Sequence, residues 1–394
     1  MSSSNLVRVT YVEEVTYDTT PVGPYSTMRM TSESLNGNAT TVVSEEARSD
    51  RQSAGQLTTA VSTEGDINFE IAGSDCYKDF VRSGMKKNTW EAAVVSTASQ
   101  LDIDSVLGVI TDTGALAGDF TILFEVGDIV KIGGFLDVAN EGKYVYITAL
   151  TATTINFEGK DLADEIGDGD EILTAPEQIT IGADDVSFSM EKAFTDLTTP
   201  ALKTISYTGM MANTMALNFT YGEIANGTFG MSGAGYDTPV VPITDGETIN
   251  VAETDNPVNA SADVSWVIID NAISDFCVQS VGVELNNNHR NQECMGSLSP
   301  KGQTPGTADV SVSMSAYLAD ENFQYMKNKV DSSPIEIVFF AENADGGIGV
   351  KVPEAQLSFP DPSSGGKDQD VVLEMEGVAK APAAGGSSLI IYWL

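Results

Sequence analysis

The chain is 394 residues long, 42% hydrophobic, and carries 57 acidic residues against 20 basic ones, a formal charge of −37. That length supports two or three domains with a large core, and the hydrophobic fraction excludes a disordered polymer. The charge excludes a protein that grips nucleic acid, because such affinity comes from basic contacts to phosphate. No apolar run approaches the ~20 residues needed to span a bilayer. The first five residues lack the basic and apolar regions of a signal peptide, so the expectation is synthesis in a cytoplasm, with no membrane partner.

From the start of the chain, Met28, Met30 and Ser32 alternate with Arg29, Thr31 and Glu33. A long polar loop follows, Leu35 to Gly65, and then Ile67, Phe69 and Ile71 alternate with Asp66, Asn68 and Glu70. Period-two alternation predicts half-buried antiparallel strands. A helix is predicted over 75–85, capped by Ser74 or Asp75, with Arg82, Lys86 and Lys87 suited to its C-terminal dipole.

The texture changes over 88–186, where twelve Asp and seven Glu stand against three Lys and no Arg. From Phe124 to Phe157, Gly-Asp, Gly-Gly, Asn-Glu-Gly and Thr-Ala-Thr-Thr separate short apolar runs, the pattern of a small inserted β-barrel-like domain. The main domain is then discontinuous, 1–87 and 187–394.

Met215, Leu217, Phe219 and Tyr221, followed by Phe229 and Met231, predict a hairpin. Val281, Val283 and Leu285 lead through a loop to Val310, Val312, Met314, Ala316 and Leu318, repeating the first pattern. A second helix is predicted over 320–330, with Phe323, Met326 and Val330 on its packed face. A further hairpin runs from Ala355, Leu357 and Phe359 to Val371, Leu373 and Met375, and the apolar Leu389 to Leu394 predicts a paired strand, since a free one would aggregate. The expected fold class is mainly β, a β-sandwich with flanking short helices and the inserted domain.

Little in this chain signals chemistry. Cys76, Cys277 and Cys294 are odd in number and far apart, which predicts reduced, mostly buried thiols instead of a disulfide framework or a metal knuckle. His289 is the only histidine and lies in a polar loop; no Gly-x-Ser-x-Gly elbow, Walker motif, His-Glu-x-x-His or Rossmann fingerprint accompanies it. The expectation is a protein that is not an enzyme and needs no cofactor. The glycines of 227–235 fit turns and close packing better than phosphate binding. Asp164, Glu165, Asp168, Asp170 and Glu171 suggest calcium, but the EF-hand register is absent and a solvated acidic turn is the alternative. Two loop segments hold paired charges: Glu45, Glu46, Arg48, Asp50 and Arg51 in one, Arg290 and Glu293 in the other. They are candidates for contacts between subunits, the alternative being ordinary surface pairs.

The segments Tyr11-Val-Glu-Glu-Val-Thr-Tyr-Asp-Thr-Thr-Pro21, Met30-Thr-Ser-Glu-Ser-Leu35, Ser44-Glu-Glu-Ala-Arg-Ser-Asp-Arg-Gln52 and Gly65-Asp-Ile-Asn-Phe-Glu70 resemble the N-terminal half of tail tube (major tail) proteins of long-tailed, non-contractile bacteriophages. Ser187 to Asp196, Tyr207 to Leu217, Gly227 to Gly233, Val283 to Asn288 and Asp368 to Leu373 follow in the order of that family. The resemblance implies a β-sandwich that closes as hexameric rings and stacks into a tube in the virion tail. Its implied partners are other copies of the chain, a tape-measure protein, terminator and tip proteins, and double-stranded DNA that passes through the lumen without specific binding. The insertion over 88–186 departs from the minimal family form, and its position suggests the outer surface. A secreted or cell-surface carbohydrate-binding, adhesive β-sandwich is the alternative, though Trp90, Trp266 and Trp393 are too scattered to argue a sugar groove. A hydrolase built on paired carboxylates is a third possibility, for which nothing singles out a pair.

Overall fold

The structure, a computed structural model, describes residues 3–394 except for positions 51, 54, 199–201, 275, 324, 326–330, 363–365, 368 and 384. The protein is mainly β, with one large mixed sheet and a separate seven-stranded antiparallel sheet. Two compact units are each assembled from separated stretches: Met1–Asn88, Ile181–Val258 and Val281–Val312 in one, Thr89–Thr180, Asn259–Ser280 and Ser313–Leu394 in the other. Among the described residues no helix is long and apolar enough to cross a membrane.

In the first unit, the strand Lys203–Thr220 serves two sets of partners. Its first half pairs with Phe188–Phe194, which pairs in turn with Val7–Glu13. Its second half pairs with Asn226–Gly233, which pairs with Gln56–Glu70. The change of partner falls beside Gly209, whose φ is +66° and where a Cβ would stand 2.9 Å from the Tyr17 ring, so a side chain would meet both backbone strain and a clash. The predicted hairpin 215–231 is this second pairing. Its glycines sit within the strand and not in turns: a Cβ at Gly227 would lie 2.4 Å from Phe69, and one at Gly233 2.4 Å from Met210. Close packing alone accounts for them.

The helix Asp75–Met85 forms where predicted and buries Tyr77, Phe80, Val81 and Met85 along one stripe. Phe80 stacks on Phe188 at 4.7 Å and lies 5.5 Å from Phe229, which stacks on Phe69 at 4.6 Å. Each such ring, fully buried, contributes about 2–3 kcal/mol. The helix ends differ from expectation. Ser74 holds the N-cap position without a capping bond, because its hydroxyl is engaged by Arg29 and donates to Asp255 at 2.8 Å. Lys86 is a left-handed C-cap with φ +55°, and its buried side chain turns inward to pair with the exposed Asp185 instead of facing solvent at the dipole.

In the second unit, the seven-stranded sheet runs, in spatial order, Val94–Val95, Ile172–Ala175, Ile129–Gly133, Tyr144–Leu150, Thr154–Glu158, Val109–Asp112 and Leu101–Asp104. Its two edge strands are consecutive in the chain. Bridges from Ser99 to Glu171 and from Ile103 to Glu165 draw the last edge back toward Ile172–Ala175, so the sheet curls over a core that includes Leu101, Phe120, Ile132, Ile147 and Leu173. On its other side Ile129, Tyr144 and Tyr146 share a second core with Trp266, Ile268, Val338, Phe340 and Tyr392. Polar bonds cross this junction: the Lys351 ammonium, paired with Glu336 on the neighbouring strand at 3.2 Å, donates to the Gly127 carbonyl at 2.6 Å, and Lys131 pairs with Glu342 at 2.6 Å. The strand Ile390–Trp393 is paired on both sides within its own chain, with Glu177–Thr180 and with Ile348–Lys351.

Other expectations need correction. Met28 to Thr31 is not a strand; short strands at Tyr25–Thr27 and Ser32–Glu33 flank it, although Met28 is buried. The segment 35–65 is a hairpin, Asn36–Val43 on Gln56–Glu70, with only 44–55 as its loop. It escaped detection because both of its faces are largely solvated and no apolar alternation is required. Of the second predicted helix, Asp320–Phe323 is helical, while Met326, Lys327, Lys329 and Val330 lie outside the described residues, as does Asp368. Of the free cysteines only Cys76 is buried, and burial pushes its thiol up to about 11; Cys277 and Cys294 lie exposed in loops.

Candidate assembly surface

The arm end of the hairpin Asn36–Val43 and Gln56–Glu70 is rich in β-branched residues, Thr40, Thr41, Val42 and Val43 on one strand and Thr58, Thr59 and Val61 on the other, with Ala39 and Leu57 among them. These residues favour extended backbone without a core to bury them. Val42 and Leu57 face each other across the ladder and are both exposed, at 55% and 72%. At Gly65 the strand takes a backbone conformation that only glycine adopts freely: its φ is +146°, and a Cβ would lie 2.5 Å from the Ser34 carbonyl. Pairing with Asn226–Gly233 ends at Thr63, and beyond that point the hairpin is an arm.

A second element lies on the arm. Arg290–Asn291 pairs with Gln303–Thr304, and the loop they close reaches the arm where the Val61 amide donates to the Leu298 carbonyl at 2.8 Å. Thr40, Ala60 and Ser62 on the arm and Glu293, Met295 and Ser297 on the loop line an open groove between them. From Val61 to Gln56 the arm runs on for about 17 Å at ~3.4 Å per residue.

The candidate contact residues occupy the two ends of this feature. Glu45, Glu46, Arg48 and Asp50 stand exposed in the arm's end loop. Arg48 donates to Asp50 in a forked pair, 3.2 Å from Nε and 3.0 Å from Nη2, which holds the Asp50 carboxyl below its usual range. Arg51 lies outside the described residues. Arg290 is exposed on its short strand, and Glu293 lines the groove. The two charged segments therefore belong to one projecting feature, although the fold does not bring Arg48 and Arg290 into contact. Sequence reasoning missed the apolar members of this surface, Val42, Val43, Leu57 and Met295; β-branched residues within a polar run were the available signal.

Elsewhere the candidate chemical groups have structural partners. His289 is partly buried: its Nδ1 lies 3.3 Å from the Ser232 hydroxyl, its backbone amide donates to Asn213 at 2.8 Å, and burial with the nearby Lys86 charge lowers its imidazole to about 4. The acidic run 164–171 is occupied by donors. Glu165 accepts from the Leu136 amide at 2.8 Å and the Asn140 side chain at 2.7 Å, and Asp164 from the Ser105 amide at 2.8 Å. Burial opposes ionisation of Glu171, but amides of Asp168, Gly169 and Leu101 overcome it and hold the carboxyl below its usual range. Among the described residues no group of three or more His, Cys, Asp or Glu is arranged to hold a metal ion.

A family model described as phage tail tube protein matches residues 4–379. No curated protein matches the chain.

Proposed function

Since the chain belongs to the phage tail tube protein family, a non-enzymatic structural component of the virion tail, we propose that its copies close into hexameric rings of the siphophage type, which stack into the conduit for DNA ejection. The observation that carries this reading is the arm: a paired, two-faced hairpin that runs on beyond Thr63, where its pairing with Asn226–Gly233 ends, and presents an aliphatic pair and a charged end loop to solvent. A head-to-tail contact that closes makes a ring, and strand pairing across subunits removes edges that would otherwise be exposed. In the stack, the arm reaches the next ring. Val42 and Leu57 lie on that neighbour, and Arg48 and Arg51 pair with its carboxylates. Arg290 and Glu293 support the arm's base. The acidic 88–186 insertion lies on the outer face of the tube. Tape-measure and terminator proteins meet the ring faces, and DNA passes through without specific binding.

Negative-stain microscopy of the purified protein tests the proposal. Wild-type protein gives rings or tubes. Arg48→Glu/Arg51→Glu and Val42→Ser/Leu57→Ser each give rings without long tubes, and the Val42→Ser/Leu57→Ser pair keeps an unfolding free energy within about 0.5 kcal/mol of wild type because both of its sites are exposed. Tubes of normal length from both variants would remove the arm's role, and a wild-type monomer at all concentrations, even with a tail fragment as seed, would remove the proposal.

A further inference from the structure

Three loops of the seven-stranded sheet converge at one end of it: the turn 104–108, the loop 134–142 and the loop 159–171. Hydrogen bonds fix them to each other. The Ser105 amide and hydroxyl donate to Asp164 at 2.8 and 2.6 Å, the Ile103 amide donates to the Glu165 carbonyl at 2.8 Å, and the Leu136 and Asp137 amides donate to the Glu165 carboxylate at 2.8 and 3.1 Å. Asn140 ties the second loop to the third by donating to Glu165 and to the Ala163 carbonyl. On this fixed frame Val106, Leu107, Leu136, Val138 and Ile166 all project into solvent, each more than 70% exposed. Isolated exposed aliphatics are ordinary, but five on three loops that are bonded together form a patch of the kind that marks an interaction site.

The charge around them selects the partner. Residues 102–108, 134–142 and 159–171 hold ten carboxylates and a single basic residue, Lys160. We infer that this end of the seven-stranded sheet is a docking surface for another protein whose contact face has an aliphatic centre and a Lys/Arg rim. A second copy of the same face is disfavoured, because an isologous contact would set the carboxylates against each other. Anionic lipid and nucleic acid meet the same repulsion. A sugar would call for exposed aromatic rings, and the aromatic residue in these loops, Phe135, is buried. The pre-fixed loops lower the ordering cost of binding.

The test uses the full-length chain and a fluorescein-labelled, 16-residue Leu/Lys amphipathic helix as probe, with a scrambled peptide of identical composition as control, read by anisotropy. The expected result is at least 10-fold tighter binding of the amphipathic peptide than of the scrambled one. Leu107→Ser/Leu136→Ser/Ile166→Ser loses at least 10-fold with an unchanged circular dichroism spectrum. Val106→Ser/Val138→Ser, a second pair on the same patch, also weakens binding, and raising NaCl from ~0.05 to ~0.5 M weakens it further. Equal affinity for both peptides, or unchanged affinity in both variants, overturns the inference by reducing it to diffuse charge attraction. So does self-association of the wild-type chain through this face that the triple variant abolishes while the peptide fails to bind.

Discussion

Lys86 and Asp185 form an uneven pair: the lysine side chain is 2% exposed and the aspartate 58%. The charge that depends on the pair is therefore the lysine's. Asp185→Ala leaves an ammonium buried without its anion and should cost about 3 kcal/mol in urea unfolding, whereas Lys86→Met keeps the apolar stem, frees an aspartate that water already reaches, and should cost under about 1 kcal/mol. Equal losses would disprove this asymmetry. His289 gives a pH dependence whose sign is fixed. Its folded pKa, about 4, lies below the ordinary 6.5, so as pH falls through that interval the unfolded chain takes up a proton that the folded chain refuses, and stability is lost. His289→Gln should remove about 1 kcal/mol of the destabilisation seen between pH 7 and pH 4.5, a figure discounted for the partial exposure of the ring. An identical pH profile for wild type and variant would show that the ring is not responsible.

At the level of elements, Ile390–Trp393 should be indispensable to its unit. It fills the gap between Glu177–Thr180 and Ile348–Lys351 and buries Ile391 and Tyr392 completely or nearly so. Removing 389–394 opens two edges and empties several core positions at about 2–5 kcal/mol each, a sum comparable to the whole stability of a domain. The expected outcome is insoluble protein, or rapid hydrogen exchange throughout Glu177–Thr180 if it stays soluble; a soluble, fully protected truncate would refute it. The pairing of this strand was legible from six apolar residues that could not remain in water, but its neighbours were not, because one of them lies more than two hundred residues upstream. Helix 75–85 and the hairpin 215–231 were legible because each carries its own period and buries one face. The arm was not. A hairpin bathed on both sides has no core to imprint alternation, so its sequence reads as a loop, and the same absence of a core makes it available to another subunit. Its charged residues were found because arginine is scarce in this chain, and its aliphatic ones were overlooked because they stand among threonines.

For the whole molecule, charge sets what the proposed tube would do with DNA. Each copy brings −37, with 57 acidic residues against 20 basic ones, and among the described residues Arg29, Arg48, Arg82, Lys86, Lys131, Lys192, Lys351 and Lys380 are already paired with carboxylates of their own chain. If the chain assembles as proposed, this charge predicts that duplex DNA is repelled by the wall and does not stick to it. Assembled tubes should show no measurable binding of duplex DNA at ~0.15 M salt and no steep gain at lower salt, since that gain requires cations that release counterions. A gel-shift titration giving micromolar affinity at low salt would contradict this and point to a basic stripe not neutralised in the ring.

The way Ile390–Trp393 is seated also bears on timing. A ribosome that has finished residues 177–180 must still make more than two hundred residues before the strand that completes their sheet exists. Until then the second unit is an open fold with two unsatisfied edges, and closing so long a loop is slow compared with forming a local hairpin. Completion of this unit therefore waits for its last strand: a chain without Ile390–Trp393 leaves Glu177–Thr180 and Ile348–Lys351 each with an unpaired edge.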